Sequence, residues 1–118
     1  ALEIALVENI QRQDLNPIDE ALAYLQLMED FNLTQDEVSV RVGKERSSVS
    51  NHIRLLRLPE VIINDLKSGV LSFGHGKVLL SLEENENRIL LRNKIVEEKM
   101  SVRAAEEWVS QFKAEKPP

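Results

Sequence analysis

The 118-residue chain contains no cysteine, which excludes disulfides and thiolate metal sites. Aromatic residues are scarce, with one Trp, one Tyr and three Phe, so any core must be built mainly from Leu, Ile and Val. Only four Gly and four Pro occur, so the breaks between structural elements should be few and readable. No apolar run is long enough to span a bilayer, and no signal peptide is visible. The expectation is therefore a cytoplasmic chain of about one domain, with no membrane partner. Its two histidines, His52 and His75, lack ligand-like spacing, and no metal site is expected.

Positive charge is also in deficit, with 15 basic against 20 acidic side chains and a net charge of −5. Its distribution matters more than its sum, because salt screens charges beyond about 8–10 Å. Residues 41–57 hold Arg41, Lys44, Arg46, Arg54 and Arg57 against Glu45 alone, a net +4, which leaves −9 for the rest. An acidic scaffold with one basic block is compatible with a nucleic-acid footprint or with an ordinary solvated face.

Helical signals run the length of the chain. Leu2, Leu6 and Ile10 share one face of a helix over 1–13. Asn16-Pro17 caps and starts a second, over 17–31, with Ile18, Ala21, Leu22, Leu25 and Met28 at helical spacing. Thr34-Gln35-Asp36-Glu37 forms a capping box, and the helix it opens stops at Gly43. Further helices are predicted over 46–57, 59–67, 72–82 and 84–99, the last through Ile89, Leu90, Ile95 and Val96. Ser101 opens a final one through Ala104, Ala105, Trp108, Val109 and Phe112, whose aromatic pair reads as core and not as a stacking platform. No segment alternates as a strand would, so the fold class is all-α. Glu83, Glu84 and Glu86 read as a solvated loop, since nothing shields them from water.

Residues 34–57 carry the strongest constellation, a helix-turn-helix whose two short helices meet at Gly43. Val38 and Val42 should pack on Val49, Ile53 and Leu56, and the small Ser39 lets the helices approach. By subtraction Ser47, Ser50, Asn51 and Arg54 face outward. Arg46 and Ser47, at the N-terminal end, are placed to touch base edges in a major groove. Lys44, Arg54 and Arg57 suit phosphates, as does Gln35 at the start of the first helix, and Ser48 completes the candidate set. A plain helical hairpin meeting an acidic protein partner is the competing reading.

These residues resemble a known family. The stretch TQDEVSVRVGKERSSVSNHIRLLRLP, residues 34–59, is similar to the helix-turn-helix of ParB chromosome- and plasmid-partition proteins. Residues 8–12, ENIQR, followed by DLNPI, match a second family motif, and LSFGHGK at 71–77 matches a third. The likeness covers about residues 2–80 and is looser beyond. It implies a reader of a short palindromic parS-like site in double-stranded DNA that self-associates on that DNA, works at the nucleoid, and reaches a partition ATPase through regions outside these residues. It also implies that Gly74-His75 and Lys77 approach the DNA backbone. In the family the ENIQR motif belongs to a pocket for CTP and Mg²⁺, which gives Glu8, Asn9 and Arg12 nucleotide-binding roles. The remainder of that pocket is not among these residues, so no cofactor and no enzymatic activity are expected of this stretch. The implied organisation is a helical remnant of the nucleotide region over 1–31, a helix-turn-helix domain with its following helices over 32–114, and a linker start at 115–118. Glu45, where Ser is common, and His52, in place of a small residue, depart from the family pattern. A nucleoid-occlusion relative reading another site, or part of a CTP-dependent DNA clamp, are the alternatives within this resemblance.

Overall fold

A computed structural model describes residues 2–11 and 15–115, and among these it contains eight α-helices and no strand, so the fold is all-α. The chain divides into two compact units, Ala1–Arg57 and Leu58–Pro118.

The first unit holds α1 (Leu2–Ile10), α2 (Pro17–Asp30), α3 (Gln35–Val42) and α4 (Arg46–Leu55). The predicted helix over 1–13 ends at Ile10, and residues 12–14 lie outside those described. Local chemistry sets each start. Asn16 Oδ1 accepts the backbone N–H groups of Ile18 and Asp19 at 3.0 and 2.9 Å, and Pro17 takes the first helical position. Thr34 and Glu37 exchange side-chain-to-backbone bonds of 3.1 and 3.0 Å, the reciprocal capping box. The stop at Gly43 needs φ +72°, a left-handed conformation in which the Lys44 N–H returns to the Ser39 carbonyl at 3.1 Å.

Helix α2 packs against both α3 and α4, and α1 lies against α2 and α3. The apolar centre comprises Ile10, Ala23, Tyr24, Leu27, Leu33, Val38, Val42 and Val49, all buried. Burying a side chain of Leu or Val size is worth about 1.5–3 kcal/mol, and the net stability of a domain is only about 5–15 kcal/mol. A few of these residues therefore decide whether α4 stays in place. Leu22, expected on the inner face of α2, is 46% exposed, while Tyr24, not expected there, is fully buried.

The second unit holds α5 (Glu60–Ser68), α6 (Phe73–Leu80), α7 (Asn85–Glu98) and α8 (Val102–Glu115). Its core includes Ile62, Leu66, Leu71, Leu79, Leu82, Leu91, Ile95, Ala105 and Val109. In α7 the buried face runs through Leu91 and Ile95, and the expected Ile89 and Leu90 are 38% and 49% exposed. Two arginines tie this unit together. Arg92 grips Asp65 with two bonds, Nε–Oδ2 2.5 Å and Nη2–Oδ1 3.1 Å. Arg88 Nε donates to the Leu79 and Leu82 carbonyls at 3.2 and 2.7 Å, satisfying groups that the end of α6 leaves open. Gly74 admits Val102, since a Cβ there would sit 2.8 Å from its Cγ2. Trp108 and Phe112 stack with centroids 5.2 Å apart, and both stay half-buried. Glu83, Glu84 and Glu86 are exposed.

Candidate nucleic-acid interface

The turn at Gly43 delivers α4 to the surface of the first unit with its polar residues outward. Lys44, Arg46, Ser47, Arg54 and Arg57 are exposed, and Ser50 and Asn51 are half-buried. Ser47, Ser50, Asn51 and Arg54 follow the i, i+3, i+4 spacing that puts them on one helix face. Asn51 Oδ1 accepts from Arg54 Nη1 at 3.3 Å, which pre-orients both on that face. Arg46 Nε is 3.2 Å from Asp36 Oδ1 of α3. Arg41 pairs with Glu3 of α1, so that member of the basic block is committed within the unit. Gln35, half-buried, opens α3, where free backbone N–H groups and the helix dipole favour an anion. Glu45 stands at the N-cap of α4 and makes no side-chain cap bond.

The inward face of α4 is rotated from expectation. Val49, His52 and Leu55 are buried, whereas Ile53 and Leu56 are only half-buried. The buried line steps by three residues, which turns the face toward position 52. Ser48 lies on that side, half-buried, with its carbonyl 2.7 Å from His52 Nδ1 and its hydroxyl 3.5 Å away.

His52 is the residue of this region whose role sequence reasoning missed, since the sequence marks it only as a departure from the family pattern in place of a small residue. It is 6% exposed. Its Nε2 is 3.3 Å from Glu20 Oε2, and its ring meets the edge of Tyr24 with centroids 5.5 Å apart at 87°. The Tyr24 hydroxyl donates to the same carboxylate oxygen. Burial pushes the His52 pKa down, opposed by the Ser48 carbonyl and the Glu20 carboxylate, while Lys44 lowers it further. Burial, then the bond and charge of Glu20, raise the Tyr24 hydroxyl.

His75 and Lys77 belong to the second unit. The His75 ring is held at both nitrogens. Nδ1 accepts the Ser72 N–H at 3.2 Å, which places the hydrogen on Nε2, and Nε2 donates to the Met100 carbonyl at 2.9 Å. Lys77 is exposed, with its ammonium 5.7 Å above the Phe73 ring. Of the residues matched to a nucleotide pocket, Glu8 and Asn9 are exposed on α1, and Arg12 lies outside the described residues.

A Gly-turned pair of short helices, capped at its entrance and presenting a cationic, amide- and hydroxyl-bearing second helix, defines the helix-turn-helix class. The ParB HTH domain model matches residues 13–114, and the chain belongs to that family. The chromosome-partitioning protein ParB of Myxococcus xanthus is 47% identical over 114 residues, 97% of this chain and 38% of that protein. A crystal structure of the DNA-binding domain of ParB complexed to the centromeric parS site superposes with TM-score 0.82 at 39% identity, over 98% of this chain and 83% of that one. C-terminally truncated ParB from Caulobacter crescentus, complexed with CTP-γ-S, matches with TM-score 0.56 at 41% identity, over 75% of this chain and 51% of that one. The chain spans about two fifths of the length of the curated relatives it matches.

Proposed function

We propose that this chain is the DNA-reading portion of a bacterial partition protein and binds a parS-like palindrome in duplex DNA. The observation that carries the proposal is the outward face of α4, where Arg46, Ser47, Ser50, Asn51 and Arg54 stand on a helix whose opposite side is locked to α2 and α3. A major groove admits such a helix, and a rigid back is what lets its side chains discriminate bases. The 39–40% identical neighbours that carry parS DNA support the same reading.

Arg46 and Ser47 read base edges, Ser48, Ser50 and Asn51 flank them, and Lys44, Arg54, Arg57 and Gln35 hold phosphates. His75 and Lys77 approach the backbone from the second unit, His75 through the backbone geometry its ring bonds maintain. Two copies line up on the palindrome's half-sites. Residues 32–114 form the DNA reader, and residues 1–31 carry the motif matched to a nucleotide pocket. Glu8, Asn9 and Arg12 serve CTP and Mg²⁺ only together with further residues of a longer protein, because a triphosphate needs several donors and a metal to offset its charge. This portion is accordingly not an enzyme by itself, and contact with a partition ATPase runs through other regions. Its place is the cytoplasm, on the nucleoid.

The test is fluorescence anisotropy of the chain on a labelled parS-like palindrome and on a scrambled duplex, across a salt series. A preference above about tenfold, or about 1.4 kcal/mol, with affinity falling steeply in salt, is the expected result. Equal affinity for both duplexes overturns site recognition.

A further inference from the structure

Behind the DNA-facing side of α4, His52 closes a part-buried polar chain that runs Tyr24 hydroxyl, Glu20 carboxylate, His52 ring, Ser48 carbonyl. A carbonyl oxygen only accepts, so the 2.7 Å contact to Ser48 requires a hydrogen on Nδ1. In the neutral ring Nε2 then bears a lone pair, and that lone pair faces Glu20 Oε2 at 3.3 Å. A second proton on Nε2 converts this contact from two facing acceptors into a charged hydrogen bond between α4 and α2. The other groups around the ring set the balance. From α2 come Glu20 and Tyr24, and from the turn comes Lys44. Helix α3 turns Val38, Ser39 and Val42 inward.

We infer that His52 is a positioning residue for the DNA-reading helix, and that docking α4 on duplex DNA draws a second proton from solvent onto its ring. The inference rests on the proposed DNA binding. A helix with its side chains is about 10–12 Å across, comparable to the screening length of about 8 Å at physiological salt. The phosphates flanking a groove-bound α4 therefore act on His52 through the width of one helix, partly through low-dielectric protein. Their negative potential favours the imidazolium and opposes both the burial and the Lys44 charge that disfavour it in the free chain. Proton and DNA are then linked ligands, and each tightens the binding of the other. The bond gained to Glu20 holds α4 against α2 while its opposite face reads bases.

Only two histidines occur, so their ring Cε1–H resonances can be followed one by one, with His52→Gln providing the assignment. The chain is titrated free and bound to the parS-like palindrome, and the site affinity is measured by anisotropy from pH 6 to pH 8. The expected result is a higher His52 midpoint on DNA than off it. Affinity should fall as pH rises, by less than the tenfold per pH unit that one proton can produce. Glu20→Gln should lower the bound midpoint, and His52→Gln should flatten the affinity slope while retaining binding at pH 8. The resonance arm uses the unmodified chain and does not depend on how the variants fold. An unmoved midpoint with intact palindrome binding overturns this inference alone. No preference for the palindrome at any pH overturns the proposed function and the inference with it.

Discussion

Arg46 Nε of α4 lies 3.2 Å from Asp36 Oδ1 of α3, and both side chains are 67% exposed. Exposed pairs of this kind are worth about 0–1 kcal/mol, so a guanine edge accepting two bonds can displace the carboxylate at little cost. Arg46→Ala is expected to weaken binding to the palindrome by about 1–3 kcal/mol and to relax base preference at one position per half-site. Asp36→Asn removes a carboxylate that faces the polyanion and should tighten binding to every sequence alike. Anisotropy on a panel of single-base variants separates the two effects. Uniform loss across the panel for Arg46→Ala would make that residue a phosphate contact.

Gly43 adopts φ +72°, yet nothing lies within 4 Å of where a Cβ would stand. The cost of a side chain there is therefore backbone strain and not a clash. Gly43→Ala should cost about 1–2 kcal/mol, and Gly43→Val more, because β-branching adds to the left-handed penalty. Asn tolerates this conformation and should cost least of the three. At about 4–8 °C per kcal/mol for a unit of this size, the order Asn, Ala, Val should be plain in the melting temperature. A melting temperature indifferent to all three would remove the tight-turn account of the helix-turn-helix.

Gly74 presents the opposite case, a helical glycine whose space is already taken. A Cβ would lie 2.8 Å from Val102 Cγ2 and 3.3 Å from Cγ1. Overpacking of this kind costs about 1–3 kcal/mol, so Gly74→Ala should destabilise the second unit by that order. Val102→Ala vacates the space and should recover part of the loss, giving a favourable coupling in a double-mutant cycle. Strictly additive penalties would show that the close approach of α6 and α8 is not what glycine serves.

What the sequence made legible and what it hid follow one rule, the distance along the chain to the partner. Asn16 with Ile18 and Asp19, Thr34 with Glu37, and Ser72 and Ser101 all bond within three residues, so these helix starts could be read off. The outward residues of α4 were legible for the same reason, since helical spacing is local. Its exact rotation was not. His52 packs against Tyr24 and beside Glu20, which come from another helix, and no local pattern announces that a histidine will replace an apolar side chain in the packing. A faint signal existed, because Glu20 and Tyr24 are one helical turn apart on α2 and His52 lies midway between Val49 and Leu55. The same holds for His75, whose second ring nitrogen finds Met100 twenty-five residues on, and for Arg92, which finds Asp65 across twenty-seven. The buried face of α7 was misread because Ile89 and Leu90 are as apolar as Leu91, and only the packed neighbours choose among them.

The burial of His52 makes the stability of the first unit depend on pH even without DNA. Its folded pKa lies below the ordinary 6.5, so as pH falls from 8 the unfolded chain takes up the proton first. Stability is then full above about 6.5, declines as pH drops through that value, and levels out once the folded form is protonated as well. Glu37, held low by its bonds to Thr34, loses its contribution only as pH falls through the carboxylate range, well separated from this window. Melting temperatures measured from pH 8 to pH 5.5 should therefore fall on the acid side in the native chain. In His52→Gln the profile should be flatter but start lower, because the ring's contacts with Ser48 and Tyr24 are lost. His75→Gln serves as the control for the second histidine, and it should leave the acid limb in place. Parallel profiles for the native chain and His52→Gln would mean that the acid limb has another source, and the buried ring would then be a packing element with no proton linkage.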